Sequence, residues 1–169
     1  MSPRSFGTGM IVAACVLGMV VLTLIFGDQI HRRDNPNSDP ESIASDGVTA
    51  VTLRQNRAGH YVARGAINGE PVDFLLDTGA TDVVVPATLA RELGLEPGAR
   101  GRAMTANGPV TVYLTRIPHL SIGDIHLYDV RASINPAMGD MDILLGMSAL
   151  RQVEFIQSGR SLTLRKRDP

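Results

Sequence analysis

A chain of 169 residues with 44% hydrophobic content and a formal net charge of −1 has room for one ordinary domain plus a short extra segment, and enough apolar material for a core. That charge gives no broad basic field, and Arg165, Lys166 and Arg167 near the end read as a solvated tail, so nucleic acid is excluded as a partner. The one cysteine, Cys15, rules out an intramolecular disulfide and a cysteine-built zinc site, and His31, His60, His119 and His126 show no ligand spacing, so no metal or other cofactor is expected.

Residues 1–5 form a short tail. From Phe6 to Phe26 no residue is charged, and at helical rise such a run covers about 30 Å, the hydrocarbon thickness of a bilayer. A transmembrane helix over 6–26 is therefore expected, which makes the lipid bilayer a partner. A cleaved signal peptide is the competing reading, but the run is long for one and no small-x-small site follows Phe26. Orientation is not fixed by charge, since Arg4 on one side faces Arg32 and Arg33 mixed with Asp28 and Asp34 on the other. Residues 27–47, "GDQIHRRDNPNSDPESIASDG", are polar and acidic and read as a flexible linker of roughly 25 Å span.

From residue 48 to 165 short alternating runs separated by turn residues predict one sheet-rich domain, with 166–169 as a tail. Strands are expected over 49–54, 60–67, 71–76, 82–85, 102–106, 110–117, 125–134, 143–145, 153–156 and 162–165. Asn68-Gly69 and Asn107-Gly108 are hairpin signals because both residue types tolerate positive φ, and Ser158-Gly159 marks a weaker turn. Two short helices fit: "PATLARELG" at 86–94, with Pro86 at its first position and Gly94 as a left-handed cap, and a turn in "MSALRQ" at 147–152. No strand-helix-strand unit of parallel α/β length is present, so the domain is mostly β.

Within it, "VDFLLDTGATDVVVP" places Asp77 after an apolar strand and before a glycine turn. A carboxylate among apolar neighbours is costly unless something uses or neutralises it. A bare D-T-G equally fits an aspartate that only caps a turn. "DILLGMSAL" echoes the stretch, again running bulky aliphatics into a glycine and a short helix.

Together, "LLDTGAT" at 75–81 and "ILLG" at 143–146 resemble the retropepsin branch of the aspartic proteases, most of all its single-domain, membrane-anchored bacterial members. The resemblance spans roughly residues 48–165. It implies a retropepsin-like (acid protease) closed β-barrel half-lobe with one or two short helices, preceded by the transmembrane helix. It implies further that Asp77 is catalytic, that Thr78 grips the loop of a neighbouring subunit, and that Gly79 permits close approach. Ala80, Leu144, Leu145 and Gly146 would support the active-site loop.

The chemistry requires two acids. One carboxylate activates water while a carboxylic acid protonates the scissile carbonyl, and a close Asp pair supplies both by sharing one proton. The chain has a single D-T-G, so two copies would each give one Asp77 across a two-fold axis, a homodimer acting on polypeptide substrates. The hairpin "GRAMTANGPVTVY" would then be a flap, with Thr105, Ala106, Asn107 and Gly108 at its substrate-facing tip.

Two departures from the retroviral pattern stand out. Where such enzymes carry arginine after the second-motif glycine and an acidic residue after D-T-G-A, this chain has Met147 and Thr81. The dimer would then rest on Asp82, Arg151 or the terminal strand 161–165, and the excised domain is expected to dimerise weakly, with membrane confinement raising the effective concentration. The expected protein is thus a membrane-anchored aspartic endopeptidase (a hydrolase), which the resemblance places in the periplasm at a bacterial inner membrane. The alternative is a non-catalytic, membrane-tethered peptide- or partner-binding domain on the same fold.

Overall fold

The structure is a computed structural model that describes residues 3–105, 108–139 and 141–167, with side chains described for 9–23 and from 34 onward. The chain divides into two compact units, Met1–Asp34 and Asn35–Pro169. The first is one helix, α1 (Pro3–Asp34). The membrane span expected over 6–26 has no counterpart here, since among the described residues no helix is long and apolar enough to cross a membrane. The expected run passes both ends of 9–23, the portion of α1 before Asp34 with described side chains, and that portion is shorter than the roughly 20 residues a bilayer core requires.

Strands dominate the second unit. Its smaller sheet has the order β1-β2-β11-β10, built from β1 (Ser42–Ser45), β2 (Val48–Arg54), β10 (Glu154–Ser158) and β11 (Ser161–Arg167). The larger sheet orders seven strands as β3-β4-β9-β5-β8-β7-β6. These are β3 (Val62–Ile67), β4 (Glu70–Leu76), β5 (Val83–Pro86), β6 (Arg100–Thr105), β7 (Gly108–Ile122), β8 (Ile125–Asn135) and β9 (Ile143–Leu145). A short additional pairing of Ala66 with Ser121 and Ile67 with Leu120 joins β3 to β7.

Alternation sets the faces, as period-2 strands require. Val51 and Leu53 of β2, Val83 and Val85 of β5, and Ile143 and Leu145 of β9 are buried, and with Phe74, Ile117, Leu120 and Leu164 they form one hydrophobic cluster. The turn at Asn68-Gly69 is as expected: Ile67 pairs with Glu70, and both turn residues take positive φ, 52° and 90°.

Several expectations need correction. The stretch 27–47 is not a structureless linker: α1 continues to Asp34, Asn35 and Asn37 are buried, and β1 pairs with β2 through the Asp46-Gly47 turn. Asn37 Nδ2 donates to the carbonyls of Arg54 and Val62 at 2.9 and 2.6 Å, and its Oδ1 accepts from Arg54 N–H at 2.7 Å. Amide side chains that satisfy backbone groups in this way hold a polar segment in place with little apolar burial.

Arg165, Lys166 and Arg167 are not a tail but the end of β11, paired with Ala50, Thr49 and Val48. Strand β7 does not stop at 117: it runs through Pro118, and the ladder skips Pro118 and Asp129, with Asp129 at φ 52°. Proline has no N–H to give a ladder, so it is tolerated where its opposite residue is unpaired. Pro86 ends β5 and caps α2 (Ala87–Ala90) rather than occupying its first turn. Gly94 is left-handed at φ 67°, as expected of a cap, and Leu95 N–H reaches back to the Ala90 carbonyl at 2.8 Å. The second helix, α3 (Met147–Leu150), is shorter than 147–152.

Candidate active site

Strand β4 pairs parallel with β9, Leu75 opposite Leu144 and Leu76 opposite Leu145. That register delivers Asp77 beside the end of β9, where its N–H donates to the Leu145 carbonyl at 3.2 Å. The chain then turns. Asp77 Oδ1 accepts the Gly79 N–H at 2.8 Å, and Ala80 N–H returns to the Asp77 carbonyl at 3.2 Å. This is an Asx turn, the bland role open to any D-x-G aspartate. It also fixes one carboxylate oxygen in direction, and the other takes no hydrogen bond among the described residues. Asp77 is half-buried rather than enclosed, and Thr78 and Gly79 are exposed.

The second motif holds this loop from below. Leu144 lies between β4 and β5, paired with Leu75 on one side and Val84 on the other. After Leu145 the chain must cross under the D-T-G segment, and Gly146 makes the crossing possible. A Cβ there would stand 2.2 Å from the Asp82 carbonyl oxygen and 2.7 Å from that of Ala80, which leaves room only for hydrogen. Beyond the crossing, Met147 N–H donates to Ala80 O at 2.8 Å and Ser148 N–H to Thr81 O at 3.0 Å. Asp77, Ala80, Leu144, Leu145 and Gly146 are thus brought together, while Thr78 is exposed and takes no hydrogen bond among the described residues.

The hairpin of β6 and β7 is present, with Thr105 opposite Gly108 and Thr105 Oγ1 donating to the Gly108 carbonyl at 2.7 Å. Gly108, expected at the tip, instead opens β7 at φ 102°. Ala106 and Asn107, expected at the tip, lie outside the described residues. Met104 is 80% exposed on the same hairpin. No hydrogen bond among the described residues links the hairpin to the Asp77 loop.

Two residues at this site, Arg131 and Ser148, escape a reading of the sequence. Asp82, offered above as a dimer contact, is engaged within its own chain: Arg131 Nη2 and Nε reach its Oδ1 at 2.8 and 3.1 Å. Ser148 Oγ accepts the Val83 N–H at 3.0 Å and donates to the Arg131 carbonyl at 2.7 Å. The only available signal was positional, Ser148 standing two residues after Gly146. Among the described residues no group of three or more metal-ligating side chains assembles. His119 and His126 instead hydrogen-bond each other at 2.9 Å on the β7-β8 surface.

Comparison with known proteins agrees with this geometry. Residues 63–152 match the family described as "gag-polyprotein putative aspartyl protease". A curated relative from Sinorhizobium sp., an uncharacterized protein in the cobV 5′ region, is 33% identical over 128 residues, covering 73% of this chain and 54% of the relative. The chain spans about half the length of that curated relative. Among solved structures, a retropepsin-like aspartic protease from Rickettsia conorii superposes with a TM-score of 0.59 at 26% identity, covering 76% of this chain and 96% of that one. The EIAV protease, solved with an inhibitor, gives a TM-score of 0.44 at 22% identity over 53% of this chain and 84% of its own. With the family match extending from β3 past α3, and so enclosing both the D-T-G turn and the glycine crossing beneath it, the chain belongs to the gag-polyprotein aspartyl protease family and has a retropepsin-like fold.

Proposed function

We propose that this protein is an aspartic endopeptidase whose active site forms between two copies of the chain, each contributing Asp77. The observation that carries the reading is the state of that carboxylate. It is half-buried, tied through one oxygen to Gly79 N–H, and held on a frame that Leu145 and Gly146 build beneath it. One such group cannot act as base and acid in the same step, whereas two at close range share a proton and do both. The chain has one D-T-G, so the second acid comes from a second copy. In that dimer the exposed Thr78 is available to the partner's loop.

The attacking water loses its proton to one Asp77 carboxylate while the other, protonated, donates to the carbonyl oxygen. Collapse of the tetrahedral species then passes a proton to the leaving amine. The β6-β7 hairpin is proposed as the flap that holds an extended polypeptide by main-chain hydrogen bonds. The short β3-β7 pairing supports reading the domain as a closed half-lobe. An N-terminal membrane anchor, with the domain on the periplasmic side of a bacterial inner membrane, belongs to the same proposal. The anchor rests on the uncharged run from Phe6 to Phe26 and the periplasmic side on resemblance. Retention of the full chain in the membrane pellet after alkaline extraction tests the anchor.

Incubation of the protein with a diverse peptide library, beside an Asp77→Asn variant, tests the activity. Cleavage products that vanish in the variant are expected. Peptide binding without turnover in both proteins would instead establish a binding domain on this fold.

A further inference from the structure

We propose that Ser148 and Arg131 are positioning residues for Asp77, together locking segment 80–83 so that the D-T-G turn ahead of it keeps one orientation. The proposal rests on the peptidase reading above and names the device that holds its site.

Strand β5 pairs parallel with β8, Val83 opposite Ala132, so Arg131 lies one position before the paired residue and beside Asp82. Its guanidinium takes Asp82 Oδ1 through two nitrogens, and its backbone carbonyl receives the Ser148 hydroxyl. Ser148 uses its hydroxyl fully, the proton going to Arg131 O at 2.7 Å and a lone pair receiving Val83 N–H at 3.0 Å. Its own N–H holds Thr81 O at 3.0 Å, and the preceding Met147 N–H holds Ala80 O at 2.8 Å. Thus Ala80, Thr81, Asp82 and Val83 are each anchored by residue 147, 148 or 131.

The contrast with the residues just before is the informative part. Thr78 and Gly79 are exposed, and among the described residues Asp77 is tied through its bonds to Gly79, Ala80 and Leu145. A carboxylate required to meet a second one at hydrogen-bonding range tolerates little angular freedom, because productive geometry is lost within fractions of an ångström. The rigid side of the turn is therefore the 80–83 segment. Alanine at 148 would keep the backbone bonds but strand the part-buried Val83 N–H; threonine would keep the hydroxyl.

The test combines amide hydrogen exchange on the full-length chain with steady-state peptide cleavage. Ser148→Ala is expected to speed exchange at Val83 by about tenfold and to lower kcat by a similar factor, with KM within about twofold. Ser148→Thr is expected to restore both. Arg131→Gln is expected to cost about threefold in kcat, and adding Asp82→Asn to it to cost nothing more, because the two share one contact. Arg116→Gln breaks the exposed Arg116–Asp129 pair on the same two-strand ribbon and is expected to change neither readout. Wild-type exchange at Val83 in Ser148→Ala, or an equal loss in Arg116→Gln, overturns the proposal. If Ser148→Ala does not fold, additive losses in Arg131→Gln and Asp82→Asn overturn it. A wild-type protein that cleaves no peptide would remove the peptidase reading, while exchange at Val83 would still decide the brace.

Discussion

Gly146 passes so close beneath the Asp82 carbonyl that a Cβ would sit 2.2 Å from its oxygen. The neighbour is backbone, already fixed by the pairing of β5 with β8 and β9, so it cannot swing aside as a long side chain would. Gly146→Ala should therefore destabilise the domain by about 3 kcal/mol or more, at the upper end of overpacking costs. A urea unfolding midpoint close to that of the wild type would show that the crossing is looser than described.

Gly69 provides the comparison, because it needs glycine for a different reason. It lies at φ 90° with open space where a Cβ would go. Gly69→Ala thus meets only backbone strain and should cost about 1 kcal/mol, with peptide cleavage retained. The ordering of the two unfolding midpoints, 146 far below 69, separates steric crowding from conformational preference.

Asn37 is the polar anchor that draws the segment before β1 into the domain. Its amide satisfies two carbonyls and one N–H on β2 and β3, and the residue is buried. Asn37→Ala should cost about 2 kcal/mol or more through groups left without partners. Protection of residues 35–45 from proteolysis should fall at the same time; an unchanged digestion pattern would contradict an ordered approach to β1.

On the β6-β7 hairpin, the Thr105 hydroxyl donates across to the Gly108 carbonyl. Thr105→Val keeps the shape and removes that bond, worth about 1 kcal/mol. If the hairpin is a flap, KM for an extended peptide also rises, by about threefold to tenfold, beside that stability loss. Equal KM in both proteins would leave the hairpin without a role in substrate binding.

What the sequence disclosed, and what it did not, divides along physical lines. Strand β9 falls on 143–145 as expected, and β4 and β8 lie within a residue of expectation at each end, because their apolar runs end at strong turn residues. Strand β1 was hidden in an acidic, proline-bearing stretch whose order comes from Asn37 rather than apolar periodicity. Strand β7 was cut short at Pro118, since nothing local announces that the opposite residue, Asp129, leaves the ladder. The D-T-G turn was legible from local chemistry, whereas the supporting place of Gly146 was legible only through the family resemblance. Ser148 and Arg131 were not, because their partners lie 65 and 49 residues away and only the folded sheet brings them together.

The account depends most on two copies of Asp77 serving one site, and mixing is the most direct measurement of it. Wild-type and Asp77→Asn chains are refolded together at equal amounts and fixed total concentration, and peptide cleavage is compared with wild type alone. If each site needs Asp77 from both copies, random pairing leaves about one quarter of the activity. Retention of about one half, as from chains acting independently, or of about three quarters, as from dimers served by either copy, would mean that a single Asp77 suffices, contradicting the shared-proton mechanism.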